Sequence, residues 1–401
     1  NSFASNEGLS VISRNVGAPD KGLISYIASD YNTGWMNGNI KLATLSDTDT
    51  TNASSSDLNT DPNFDSGVGI FIAASGTVTH SSGTITSTKN SGSASAMTSS
   101  AVLTIGKTYY IEFEITATSP GYTHIDSPIG EITSGQVGTH SGFFVATGTT
   151  INFGQNNGGS TSSVTFTRIS ISLAEADRSV NGNGLQTFGT VTKTAVATGA
   201  ELVAYSGFTT SNYLRQPYNS DLDFGTGDFS IACWVKQDSS STGRIMDREG
   251  GTNDNYLIIF TSSGAISIST KDGGASINLS APTSPFGVWQ FVTVVRSGGI
   301  LHLYIDGASA VTPVANTHNV TNTIAPLFLG IRTNLASPFS VGSLANFRIS
   351  ATAPTPEQIK KMYNDEKHLF STNAKATLYG TSNAVTALAY DDSTELLHVG
   401  T

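Results

Sequence analysis

The sequence has little charge and almost no cysteine. Only 12% of its 401 residues are Asp, Glu, Lys or Arg, about half of the usual share. Its one cysteine, Cys233, excludes an intrachain disulfide and any metal site that needs several cysteines. The few Lys and Arg residues are scattered and the net charge is −10, which argues against a nucleic-acid partner.

Long hydrophobic runs and helix-forming blocks are also missing. No stretch reaches the roughly 18 to 20 continuous apolar residues that a membrane helix needs, so we expect no membrane partner. Gly, Ser, Thr and Asn are abundant, and short runs of Val, Ile, Thr and aromatic residues lie between them. This composition is typical of strands and tight turns and predicts an all-β protein with two or three domains.

Short strand-like segments at the two ends of the chain flank the central part. Residues 1–50 contain "GLSVISR", "GLISYIAS" and "NIKLATLSD", and residues 371–401 contain the predicted hairpin "AVTALAYDDSTELLHVGT". Both ends resemble strands of a β-propeller blade. Two isolated strands cannot bury a core, so either the two ends pair with each other or further blades lie outside this chain. Residues 51–62, "TNASSSDLNTDP", have the composition of a polar linker.

The central part contains two predicted sandwiches. Residues 63–178 include "LTIGKTYYIEFEITAT" and "FTRISISL", and this stretch resembles the jelly-roll carbohydrate-binding modules of polysaccharide-degrading enzymes and phage fibres. Residues 184–370 include "DFGTGDFSIACWVK", "WQFVTVVRSGGILHLYIDG", "LFLGIR" and "VGSLANFRIS", in the order and spacing of laminin G-like, concanavalin A-like domains. The predicted fold is therefore all-β, with two antiparallel jelly-roll sandwiches between propeller-like strands.

One short helix is predicted near residues 356–367. Thr355 is a suitable N-cap, Pro356 suits the first helical position, and Gln358 completes a capping box. Ile359, Met362 and Tyr363 follow at helical spacing and form an apolar stripe. We expect this helix to lie across the edge of the second sandwich.

Cys233 and Trp234 lie side by side in a predicted strand. Alternation places Phe229, Ile231 and Cys233 on one apolar face, where a thiol without a neighbouring base is inert. Trp234 points to the opposite face. That face is either a second packing layer or a groove in which sugars stack, so Trp234 is a candidate glycan-binding residue.

The loop "MDREGGTNDNY", residues 246–256, is the most polar segment of the second sandwich. Carboxylates and amides are the oxygen ligands that calcium prefers, although their spacing here matches no EF-hand or repeat calcium loop and a plain hairpin loop remains the alternative. The candidate calcium ligands in this loop are Asp247, Glu249 and Asp254. The candidate glycan-binding residues in it are Asn253, Asn255 and Tyr256.

A possible catalytic pair occurs in the first sandwich. Glu112 and Glu114 alternate onto one strand face at a separation of roughly 6.5 to 7 Å, which is compatible with glycoside hydrolysis. A third acid is missing from that strand, however, and polar residues on the outer face of a sandwich strand are the ordinary arrangement. We therefore expect no catalytic residues and no enzyme activity.

Together, both ends and both sandwiches resemble virion proteins of marine tailed phages, of the tail-fibre or receptor-binding kind. The resemblance implies a non-enzymatic attachment protein, located on the virion or outside the cell. Its expected partners are a cell-surface or extracellular glycan, other virion proteins and further copies of itself in a trimer or larger assembly. The alternatives are a polysaccharide-degrading enzyme that carries these folds as accessory modules and a cellular surface adhesin.

Overall fold

The computed structural model describes residues 9–11, 24–26, 39–90, 96–118, 124–133, 137–156, 161–198, 200, 202–250, 255–370, 387–391 and 396–400. Nearly all of its regular structure is β, and every pairing between named strands is antiparallel. This confirms the all-β prediction. Among these residues, no helix has the length and apolar character required to cross a membrane.

Four short strands precede the first sandwich. They are β1 (Leu9–Val11), β2 (Ile24–Tyr26), β3 (Ile40–Thr44) and β4 (Ala53–Ser54). β1 and β2 form a two-stranded sheet with each other, with Leu9 opposite Tyr26.

The first sandwich is formed by ten strands. They are β5 (Phe71–Ala73), β6 (Thr77–Ser81), β7 (Thr84–Lys89), β8 (Met97–Ser99), β9 (Thr108–Thr118), β10 (His124–Ser127), β11 (Gly130–Thr133), β12 (Gly138–Val145), β13 (Asn152–Asn156) and β14 (Ser162–Glu175). One sheet has the order β11-β10-β13-β8-β5, and the other contains β12, β9, β14, β7 and β6. Phe113 and Phe153 meet edge to face in the core between them, with ring centroids 5.2 Å apart.

The second sandwich takes up most of the remaining chain. Its strands are β15 (Leu185–Phe188), β16 (Thr190–Ala195), β17 (Val203–Ser206), β18 (Tyr213–Gln216), β19 (Phe229–Gln237), β20 (Gly243–Arg248), β21 (Tyr256–Ser262), β22 (Ala265–Lys271), β23 (Ile277–Thr283), β24 (Trp289–Ser297), β25 (Ile300–Ile305), β26 (Ala308–Ser309), β27 (Val314–Ala315), β28 (Leu327–Leu329) and β29 (Gly342–Ser350). We call the sheet β15-β18-β28-β20-β21-β22-β23 sheet A, and the sheet β26-β25-β24-β19-β29-β17-β16-β4 sheet B. Leucine, isoleucine and valine side chains from both sheets fill the core between them.

The predicted helix is present as α1 (Pro356–Glu366), followed by a 3-10 turn at Lys367–Phe370. The Thr355 hydroxyl accepts from the Gln358 backbone N–H, and the Gln358 side chain accepts from the Thr355 N–H, which confirms the capping box. Ile359 and Met362 are buried against the outer face of sheet B. The helix therefore covers the face of sheet B that points away from the core, and the expectation that it lies across the edge of the sandwich is wrong.

Cys233 lies fully buried in the core between the sheets, as its strand alternation predicts. Burial raises the pKa of its thiol to about 12. A thiol with such a pKa is almost entirely protonated at neutral pH, so Cys233 is a packing residue.

Two strands near the N-terminus lie in the second sandwich instead of a separate unit. β3 pairs with β29, with Leu42 opposite Ile349, and β4 pairs with β16. Residues 40–44, predicted to be a propeller-like or accessory strand, form a strand of this sandwich, and Leu42 and Ala43 are fully buried against it. The pattern of an amphipathic strand does not tell which sheet will bury it.

The predicted linker, residues 51–62, also has fixed structure. Asp57 accepts from the Ile171 N–H at 3.0 Å, and the Leu58 N–H donates to Ile171 O at 2.7 Å. Asn59 is 2% exposed and donates to Ile169 O at 2.7 Å. Residues of the segment 51–62 therefore form hydrogen bonds with backbone groups of β14, and the segment is not a solvent-exposed linker.

The C-terminal hairpin is present as β30 (Ala387–Asp391) and β31 (Leu396–Gly400). Within the described residues β30 and β31 pair with each other, as β1 and β2 do, and the expected pairing between the two ends of the chain is not among the strand pairs. The intervening residues 371–386 lie outside the described part.

A buried polar network joins the two sandwiches. Glu175, the last residue of β14, accepts from the Tyr205 hydroxyl at 2.6 Å and lies 3.4 Å from the Lys193 ammonium. Lys193 also contacts Asp47 at 2.5 Å. Burial raises the pKa of Glu175, and of Tyr205 still more. The network fixes the end of β14 against sheet B, at the point where the sheet of the first sandwich continues into sheet A through β15.

Candidate functional site

The outer face of sheet A carries a concavity of about 300 Å³. In contrast to the outer face of sheet B, this face is not covered by α1. We call the concavity the sheet groove, and it is lined by Thr242, Gly243, Arg244, Tyr256, Ile258, Phe260, Ser269, Ser276, Asn278 and Ser337.

Strand alternation produces the aromatic wall of the groove. In β21, Leu257 and Ile259 are fully buried in the core, so Tyr256, Ile258 and Phe260 face outwards. Tyr256 and Phe260 are half-buried, which leaves part of each ring open to solvent. Partly exposed aromatic rings on a rigid strand provide the flat apolar surfaces on which sugar rings stack.

Hydroxyl and amide groups of the neighbouring strands β22 and β23 lie beside these rings. The Ser269 hydroxyl donates to the Tyr256 hydroxyl at 3.4 Å, and the exposed Asn278 amide donates to the Ser276 hydroxyl at 3.2 Å. The contact between the two hydroxyl groups is long for an O–H···O hydrogen bond, so a ligand hydroxyl can replace it at little cost. The sheet groove thus combines stacking surfaces with short polar groups.

Arg244 supplies the positive charge of the groove. Its guanidinium lies 5.0 Å from the centroid of the Phe260 ring, and its Nε is 3.3 Å from Asp247. Contact with both a ring and a carboxylate fixes the direction of the guanidinium plane.

The candidate calcium ligands Asp247 and Glu249 are already occupied by protein groups. Asp247 is fully buried, and it accepts from the Thr333 hydroxyl at 3.2 Å besides its ion pair with Arg244. Both oxygens of Glu249 accept from Arg332 at 2.9 Å. In the part of the chain that the structure describes, no three His, Cys, Asp or Glu side chains come together in a way that could hold a metal. Asp254 lies outside the described residues.

Burial also affects the protonation of Asp247. Desolvation raises the pKa of its carboxyl to about 6, and the nearby Glu249 charge acts in the same direction, whereas Arg244 lowers the pKa. The charge of this residue, which lies beside Arg244, therefore changes near neutral pH.

The four candidate glycan-binding residues have different environments. Tyr256 lines the sheet groove. The Asn255 side chain donates to Thr321 O at 3.2 Å and is thereby turned to a neighbouring loop. Asn253 lies outside the described residues.

Trp234 does not line a groove, so its candidate role as a sugar-stacking residue is wrong for this structure. Its ring is 2% exposed and stacks on Phe370 at a centroid distance of 4.0 Å. Its Nε1 donates to Glu366 of α1 at 2.8 Å. The helix and the following turn cover the face on which a sugar would lie.

The carboxylates of Glu112 and Glu114 each have a protein partner. Glu112 accepts from Arg168 Nε at 3.1 Å, and Glu114 accepts from the Thr167 hydroxyl at 2.6 Å. The two residues lie on adjacent outward positions of β9, opposite Ser141 and Thr139 of β12.

Sequence reasoning missed Phe260, Arg244, Ser269 and Asn278. In "YLIIFTS" the apolar residues occupy both faces of the strand, so the alternation between core and groove cannot be read from polarity. A signal was available in the next two strands, where "AISISTK" and "INLSAPT" alternate clearly and place Ser269 and Asn278 on the outer face.

The second sandwich matches a known family. Residues 208–360 match the sequence model of the laminin G-like family described as the concanavalin A-like lectin/glucanases superfamily. No curated protein matches the sequence.

Three toxin binding domains are among the solved structures to which part of the chain is similar. These are the receptor-binding domain of botulinum neurotoxin C/D mosaic serotype (15% identity, TM-score 0.40, 48% of each chain), the binding domain of Paraclostridial mosquitocidal protein 1 (14%, 0.39, 47% of this chain and 49% of that one), and the binding domain of botulinum neurotoxin DC in complex with rat synaptotagmin II (14%, 0.39, 47% and 48%). The chain thus spans about half the length of these structures. Residues 208–360 are thus similar in sequence to this laminin G-like, concanavalin A-like family, and they fold as an antiparallel β-sandwich.

Proposed function

We propose that this protein is a non-enzymatic attachment protein that binds a glycan in the sheet groove of its second sandwich. The observation that supports this most is the pair of rings Tyr256 and Phe260, which line the groove together with Ser269 and Asn278 on a sheet face that α1 does not cover. Stacking on the two rings and hydrogen bonds to the hydroxyl and amide groups suit a sugar chain, and they require no reactive residue.

Shallow sites of this kind bind weakly as single copies. We propose that the protein works as a trimer or larger assembly, in which several grooves engage one surface and raise the overall avidity by orders of magnitude. The resemblance of both ends and both sandwiches to tailed-phage fibre proteins supports a place on the virion, next to other virion proteins. Light scattering after size-exclusion chromatography tests the assembly state. Antibody labelling of particles from the native source, viewed by electron microscopy, tests the location.

A glycan array tests the binding function itself. We expect the wild-type protein to retain a defined set of glycans, and the double variant Tyr256→Ala/Phe260→Ala to lose them. Phe286→Ala is the matched control, because Phe286 is an exposed phenylalanine of the same sandwich that does not line the sheet groove. Binding of no glycan by the wild type, with or without added calcium, would reject the proposal and favour a purely architectural role.

A further inference from the structure

The sheet groove has two polar ends and an apolar floor between them. Ser276 and Asn278, at the start of β23, are exposed at one end, and Thr242 and Ser337 are exposed at the other. Ile258, in the middle of the lining, is only 5% exposed and forms part of the floor. Within the part of the chain that the structure describes, the groove is therefore a trough whose two ends are open to solvent.

Each end of the trough combines one aromatic ring with polar groups. Phe260 is the direct strand partner of Arg244. The Tyr256 hydroxyl accepts from Ser269, and Ser269 is the direct strand partner of Asn278. We call one group of residues the arginine end (Thr242, Arg244, Phe260 and Ser337) and the other the amide end (Tyr256, Ser276 and Asn278).

The two ends are far apart compared with one sugar. Tyr256 and Phe260 are four residues apart on β21, which corresponds to about 13 Å along the strand. Asn278 and Arg244 lie on β23 and β20, with two strands between them, which corresponds to about 14 Å across the sheet. A single sugar ring is much shorter than either distance, so one sugar cannot contact both ends.

The loop beside the arginine end has an unusual backbone conformation. Leu335 and Ser337 have φ angles of 60° and 50°, in the left-handed region that is uncommon for residues other than glycine. Ser337 O accepts from the Arg244 N–H at 3.0 Å, and the Arg332 N–H donates to Ala336 O at 3.2 Å. These hydrogen bonds hold the loop against β20 in the free protein, which lowers the cost of ordering it when a ligand binds.

An open trough with polar groups at separated ends suits the interior of a polymer. A site for one small molecule encloses most of the surface of that molecule. Here the polar residues at both ends are exposed, so a chain can enter at one end and leave at the other. Stacking on two separated rings then requires several linked sugar units.

We propose that the sheet groove binds the interior of a linear polysaccharide, with several consecutive sugar units extending from the amide end to the arginine end. Tyr256 and Phe260 stack on units at the two ends, and the units between them lie over Ile258. The ligand class is therefore a linear polymer, and single sugars bind weakly because each of them reaches only one end. This inference rests on the proposed function.

Titration calorimetry with size series of oligosaccharides tests the proposal. The probes are linear β-linked glucan, galactan and mannan oligosaccharides of one to eight units. In at least one series, we expect the affinity for the wild type to rise about tenfold or more from the monosaccharide to the first oligomer that reaches both rings, and then to level off. Reduction of the terminal sugar to its alditol should leave the affinity for the longest oligomer unchanged, because the interior of the chain occupies the groove.

Two single variants test the span between the rings. Tyr256→Ala and Phe260→Ala should each lower the affinity for the longest oligomer about tenfold, and each should thereby remove most of the gain with chain length. Phe286→Ala is the matched control outside the groove and should keep the full gain. Urea unfolding checks that each variant is folded under the conditions of the titration.

The size series also separates this inference from the proposed function. A monosaccharide affinity equal to that of the longest oligomer, or loss of binding after reduction of the terminal sugar, would overturn the binding of a chain interior while glycan binding itself stands. Full length dependence in either single variant would overturn the span between the two rings. Absence of binding in every series would overturn the inference, and the proposed function falls with it if the glycan array is empty as well.

Discussion

The Trp234 indole donates a 2.8 Å hydrogen bond to Glu366, and the same carboxylate receives both terminal nitrogens of Arg348. Trp234 and Arg348 lie on neighbouring strands of sheet B, and Glu366 is the last residue of α1. This contact holds the helix over sheet B and occupies the tryptophan. The outer face of sheet A is not covered by this helix.

Removal of this carboxylate should destabilise the second sandwich strongly. Glu366→Ala removes the carboxylate that accepts from both terminal nitrogens of the fully buried Arg348, and breaking a buried pair in this way costs about 3–5 kcal/mol. Urea unfolding followed by tryptophan fluorescence measures the loss. Asp365→Ala is the control, because its ion pair with Lys361 is exposed and contributes at most about 0.5 kcal/mol. Equal stability of the two variants would contradict the helix-anchoring role.

Cys233 should be chemically silent in the native protein. Because burial raises its pKa to about 12, we expect a thiol reagent to modify it only after unfolding. Cys233→Ala should lower the free energy of unfolding by on the order of 1–2 kcal/mol through a small cavity, with glycan binding unchanged. Rapid modification of the folded protein would show that the thiol is accessible.

Asp247 should give the stability a dependence on pH. Its pKa rises from about 3.9 in the unfolded chain to about 6 in the folded protein, so the folded protein binds more protons between these values. The stability that this residue contributes is full below about pH 4 and is lost as the pH rises through about 6. The free energy of unfolding of Asp247→Asn, measured relative to that of the wild type, should therefore rise by on the order of 2 kcal/mol between pH 4 and pH 7.

Chemical unfolding at several pH values measures this difference. Asp238→Asn is the matched control, since the Asp238 side chain is more than half exposed beside Lys236. Its stability curve should stay parallel to that of the wild type. A parallel curve for Asp247→Asn as well would mean that the Asp247 pKa is not raised in the folded protein.

The alternative of a polysaccharide-degrading enzyme makes a distinct prediction. Because Arg168 and Thr167 hold Glu112 and Glu114, we expect no release of reducing ends from neutral or acidic polysaccharides. Release of reducing ends that disappears in Glu112→Gln/Glu114→Gln would establish catalysis and reject the non-enzymatic account.

Local patterns in the sequence predicted those parts of the fold that depend on neighbouring residues. The capping box at Thr355 and Gln358, the burial of Cys233 and the C-terminal hairpin all follow from interactions over a few residues. The placement of β3 depends instead on a partner about 300 residues away, and alternation alone does not specify that partner. The segment 51–62 has the polar composition of a linker. The distant backbone groups to which its side chains bond cannot be identified from that local composition.

The candidate site was less predictable for the same reason. Trp234 was a reasonable candidate until the helix that covers it was placed, and that contact spans 132 positions of the chain. Tyr256 was chosen from the polar loop, but its environment comes from Phe260 and from the adjacent strands.

The most direct test of the glycan-binding account is a crystal structure of the protein with the strongest ligand from the array. The account predicts sugar rings stacked on Tyr256 and Phe260, with hydroxyl groups within hydrogen-bond distance of Ser269 or Asn278. A ligand bound to the first sandwich alone, or to loops away from sheet A, would contradict it.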